Sequence, residues 1–129
     1  MPDLITDIET FLSNGMTLPE VYHDTMLDDP DEVLAIYEYA GANSPYPAIS
    51  ANLRTFQLVV RSRSAMNARA KCKEAYDLVS STEDDGVLNL NGRECVVATM
   101  QSPFKLKVDD KDRTYYCFNL VVTTHKEGT

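Results

Sequence analysis

The stretch "LRTFQLVVRSR" (Leu53 to Arg63) constrains the fold most. Phe56, Leu58 and Val60 alternate with Thr55, Gln57, Val59, Arg61 and Arg63, the two-residue period of a strand with one face in a core. The other face is half polar. Two helical patterns flank this strand in sequence. In "DLITDIETFLSNG", Leu4, Ile5, Ile8, Phe11 and Leu12 fall on one side of a 3.6-residue repeat. Asp3 is placed to cap its start, and Asn14-Gly15 to give a left-handed stop. After Ser64, a cap residue, "AMNARAKCKEAYDLVSS" carries a narrow stripe of Ala65, Ala68, Cys72, Ala75 and Val79, suited to close packing on a sheet. It stops in "TEDDG".

The other segments read as strands and turns. "EVYHD" predicts a short edge strand and "EVLAIYEYA" a strand rich in β-branched and aromatic residues. Residues 41–52, with two prolines and several small residues, predict a loop or a projecting extension in an assembly. "VLNL", Asn91-Gly92 and "RECVVATM" predict a hairpin. "FKLKV" sets Phe104, Leu106 and Val108 against Lys105 and Lys107, "DDKD" turns the chain, and "RTYYCFNLVVTTH" forms a long last strand before a frayed tail. The expected order is α-β-β-β-α-β-β-β in one domain, 1–129.

Charge is unevenly spread along the chain. The net value of -8 argues against whole-surface binding to nucleic acid. Residues 1–38 hold ten acids and no Lys or Arg; residues 39–73 hold six basic residues and no acid. Either folding interleaves these blocks, or an acidic surface on one copy meets a basic surface on the next.

Signatures of chemistry are missing. The acidic knot Asp28, Asp29, Asp31 and Glu32 has no central glycine and runs into a strand, so it does not form a calcium loop; Pro30 favours a turn. "DDKDR" lies between two alternating strands, where charged turn residues belong. His23 and His125 are isolated, and Cys72, Cys95 and Cys117 in apolar neighbourhoods read as buried reduced thiols. No Gly-rich phosphate loop, GxSxG, HExxH or Cys–His arrangement occurs. The expectation is therefore no catalytic residue, no metal and no cofactor. A small carboxylate-dependent hydrolase is the rival from another class, with no acid pair singled out. No apolar run reaches the ~20 residues of a membrane helix, and the acidic start lacks a signal peptide's basic residues.

Taken together, "DPDEVLAIYEYAG" (Asp29 to Gly41), "LVVRSRS", the "A…A…C…AY…V" helix, "LNLNG" and "PFKLKVDDKDR" (Pro103 to Arg113) resemble the tail terminator, or tail-to-head joining, proteins of long-tailed bacteriophages, often labelled minor capsid proteins. The likeness covers nearly the whole chain, although the loop after Gly41 is short and ordinary in composition. It implies an α+β fold with a mainly antiparallel β-sheet flanked by two α-helices. It also implies a homo-hexameric ring at the head-proximal end of the virion tail, assembled in the host cytoplasm. Such a ring stops tail-tube polymerisation and joins the tail to the head, so its partners would be itself, the tail-tube protein and the head connector or completion protein. DNA would only pass through, and no membrane is involved. A head-closure or connector protein is the nearer alternative. A ring needs two unlike patches per subunit. Asp28, Asp29, Asp31, Glu32, Arg54, Asp109, Asp110 and Arg113 are the candidates for a subunit or tube interface, and Arg61 and Arg63 for a face toward the lumen.

Overall fold

The computed structural model describes residues 4–39, 51–80, 88–90, 93–99 and 102–125. Its elements run α1 (Leu4–Gly15), β1 (Glu20–His23), β2 (Val33–Tyr39), β3 (Ala51–Ser62), α2 (Ala65–Ser80), β4 (Leu88–Leu90), β5 (Arg93–Thr99), β6 (Phe104–Val108) and β7 (Thr114–His125). The fold is α+β, as expected; four strands follow α2 where the expected order counted three, because the expected hairpin supplies two of them, Leu88–Leu90 and Arg93–Thr99. The strand order is β1-β2-β3-β7-β5-β4, and β6 also pairs with β7. Every pairing is antiparallel except β1 with β2. β5 and β6 lie one after the other along the same side of β7, against residues 120–124 and 114–117 respectively.

The alternation in β3 decides where the core sits. Phe56, Leu58 and Val60 are buried with Leu34 and Ile36 of β2 and Phe118, Leu120 and Val122 of β7, beneath both helices. α1 contributes Leu4, Ile5, Ile8 and Leu12; α2 contributes Cys72, Ala75 and Val79. The small residues of α2 let its backbone lie close to β3, β5 and β7, and Tyr76 meets Phe118 edge-on at 5.4 Å. Ala65, expected in the buried stripe, is exposed, because the stripe begins one turn later at Ala68.

Caps and turns explain the element boundaries. The Ser64 hydroxyl accepts a bond from the Asn67 N–H at 3.2 Å, so Ser64 is the expected N-cap of α2. Gly15 is not left-handed. A β-carbon there would lie 2.7 Å from Leu78 Cδ2, so close approach of α2, not a helix-stopping backbone, favours glycine. In the "DDKD" turn the Asp112 N–H donates to the Asp109 carbonyl at 3.1 Å, and Asp112 has φ 59°, a position that Asp tolerates. The Asp3 cap, the Asn91-Gly92 turn, the "TEDDG" stop, residues 41–50 of the expected loop and the frayed tail lie outside the described residues; the last two residues of that loop, Ala51 and Asn52, instead begin β3, paired with β7.

Strand β6 departs from the expected alternation. Phe104 pairs with Cys117 and Lys105 with Tyr116, but Lys107 pairs with Tyr115 across a bulge. One extra residue moves every later side chain to the other face. Lys107 thus joins Phe104 on the side away from the helices, with its Nζ 4.7 Å from the Tyr115 ring centre. All five residues of β6 are exposed.

Candidate functional site

The face of the sheet turned away from the helices is covered at one end by the segment between β1 and β2. Met26 and Tyr37 pack there on Val59, Tyr115 and Cys117. Two arginines hold this segment down. Arg61, near the end of β3, donates from Nη2 to the carbonyls of Leu27 (2.8 Å), Asp28 and Pro30, and from Nε to that of Asp31 (3.2 Å). Arg113, just before β7, meets three carboxylates: Asp28 at 2.7 Å, Asp109 at 2.9 Å and Asp31 at 3.3 Å. It also donates to the Asp28 carbonyl at 2.6 Å. Both arginines are 2% exposed. A buried guanidinium needs this many acceptors, because it keeps its charge, and a buried charge without partners is costly.

The acidic knot is therefore a clamp around internal arginines. Glu32 completes it by accepting from the Ser62 hydroxyl at 2.6 Å and the Arg63 N–H at 3.1 Å, which fixes the link from β3 to α2. Arg63 pairs with Asp31 at 2.7 Å, and Lys111 pairs with Asp28. Arg54 grips Glu38 with two 2.6 Å bonds, a bidentate fork across β2 and β3.

Two expectations need correction. Arg61 shares no solvated face with Arg63: its side chain lies under the residue 27–31 segment, which supplies its acceptors, and only Arg63 remains exposed, at 65% of its side chain. Arg113 is likewise an internal residue of one chain and cannot present its charge to a neighbour. Asp28, Asp31, Glu32, Arg54 and Asp109 are engaged within the chain, whereas Asp29 and Asp110 are exposed and form no ion pair among the described residues. Sequence reasoning overlooked the edge of β6 that takes no partner strand among the described residues, whose signal was two lysines in a five-residue strand.

The clamp should make stability depend on acid. Burial alone would push the Asp109 carboxyl up. The Arg113 N–H and guanidinium, the Tyr115 hydroxyl and the Lys111 N–H outweigh that and hold it well below the usual carboxylate range. Lys111 and then Arg113 lower Asp28 in the same way. A carboxyl depressed in the folded state stabilises the fold above its unfolded value, and that contribution is lost as pH falls toward the folded value. The melting temperature is expected to hold from neutral pH to ~5 and to fall progressively below ~4. Asp109→Asn should flatten that fall; a curve parallel to the parent's would place the acid sensitivity elsewhere.

Among the described residues little resembles a reaction centre. Among the described residues no group of three or more His, Cys, Asp or Glu could hold a metal ion. Burial pushes the Cys72 thiol up to about 12 and the Cys117 thiol up to about 11, which leaves both as thiols rather than nucleophiles. Among the described residues no helix is long and apolar enough to cross a membrane.

The charged cluster of this α+β sheet is thus spent on internal support. Residues 5–126 match the family described as bacteriophage tail terminator protein, and the chain belongs to that family. It is thus a structural component of a phage tail. One solved structure, 14% identical, superposes with a TM-score of 0.52 over 98% of this chain and 96% of its own. A chain of the structure titled "Virion of native gene transfer agent (GTA) particle" aligns at 13% identity over 92% of this chain and 84% of its own, with a TM-score of 0.47. No curated protein matches the chain.

Proposed function

We propose that this chain forms a closed homo-hexameric ring at the head-proximal end of the tail, ends tail-tube polymerisation and offers the surface that joins the head. The role is structural and involves no catalysis. The match to the tail terminator family across residues 5–126 carries this reading. Its partners are further copies of itself, the last ring of tube protein and the head's connector, with DNA passing through the lumen. Arg63 is the residue proposed to face that lumen, and Asp29 and Asp110 remain proposed contacts with a neighbour or the tube.

Phage lacking this protein should make tails that are abnormally long or that fail to join heads, visible by electron microscopy of lysates. Adding the purified protein should restore joining. Tails of normal length that join heads in its absence would overturn the proposal.

A further inference from the structure

We propose that neighbouring copies join edge to edge, with β6 of one subunit pairing antiparallel to β1 of the next, so that the sheets close into one continuous ring of strands. This rests on the ring reading above.

Registers place the two strands at one level of the sheet. Glu20 lies opposite Val33, Val33 opposite Arg61, Arg61 opposite Tyr115, and Tyr115 opposite Lys107. At this level the sheet is β1-β2-β3-β7-β6, and among the described residues β1 pairs only with β2 and β6 only with β7. Among the described residues nothing takes up either outer row of backbone N–H and C=O groups, and each is placed to accept a further strand.

Strand direction then selects the geometry. β1 runs with β2, and each further step to β3, β7 and β6 reverses direction, so β6 runs opposite to β1. Rotation about an axis along the strands preserves direction. A β6 edge brought against the next copy's β1 edge consequently meets it antiparallel, the more favourable ladder.

Side chains favour this pairing over its alternatives. Lys105 and Lys107 form no ion pair among the described residues. Glu20 is exposed at the start of β1, with Asp24 just beyond its end. Unlike edges attract, whereas two β6 edges or two β1 edges repel, which disfavours a closed two-fold dimer and leaves head-to-tail closure. Phe104, Leu106 and Val108, exposed at 36%, 46% and 50%, give β6 apolar area to bury. A four-residue β1 against a five-residue β6 makes a short ladder, so each contact is weak singly and closure comes from the ring.

The test uses the full chain with native mass spectrometry and capping of purified tube ends. The Lys105→Glu/Lys107→Glu double variant should keep the parent's denaturation midpoint and lose roughly ten-fold or more in ring formation. Glu20→Lys alone should weaken rings too, and combining all three changes should restore them. Parent-like rings from either reversed variant, or loss without rescue in the triple variant, would overturn the edge pairing while leaving the ring reading intact. A parent protein that forms no ring even on tube ends removes both.

Discussion

Arg61→Glu is expected to lower the unfolding free energy by at least about 3 kcal/mol, the order seen when one partner of a buried charged network is lost. The reversed side chain would point a carboxylate at the carbonyls of Leu27, Asp28, Pro30 and Asp31, which now accept from the guanidinium. None of these acceptors would gain a donor, and the new charge would be buried among them. The segment carrying them also packs Met26 onto Val59 and Tyr115, so its release exposes apolar surface as well. Arg63→Glu, two residues on and mostly exposed, removes one solvent-screened pair with Asp31 and should stay within about 1 kcal/mol of the parent. Urea denaturation of the two variants checks the contrast. Equal midpoints would mean that Arg61 contributes no more than a surface residue.

That contrast also marks what the sequence conveyed. The period-two run around Phe56 and the helical faces around Ile8 and Cys72 are local patterns, and each is borne out by burial. Arg61 and Arg63 look alike in the same pattern because alternation assigns a face without saying what covers it. The cover comes from residues some thirty positions upstream, and no local signal links them. For the same reason the -10 and +6 blocks looked like candidate surfaces of opposite sign, yet Arg54, Arg61 and Arg63 meet acceptors from residues 27–38 within the chain. The bulge in β6 is set by its register on β7, so the face reached by Lys107 was hidden too.

Phe56→Ala should cost about 3–5 kcal/mol, the usual loss for truncating a buried aromatic. Phe56 has no exposed surface and lies in the core between β2, β7 and the helices, with Arg54 stacked 5.7 Å from its ring centre. Little can collapse into the space, because Leu120 opposite it and Ile36, opposite Leu58, are held by their own ladders. Thr55→Ala, on the opposite face and partly exposed, should cost far less. The pair separates support of the fold from assembly. Phe56→Ala leaves both open edges unaltered, so at temperatures where it is still folded it should form rings as the parent does. The β6 reversals should do the opposite, with an unchanged midpoint and no rings. A Phe56→Ala protein that is folded yet fails to assemble would mean that the core shapes the edges themselves, and that stability and ring closure are not independent in this chain.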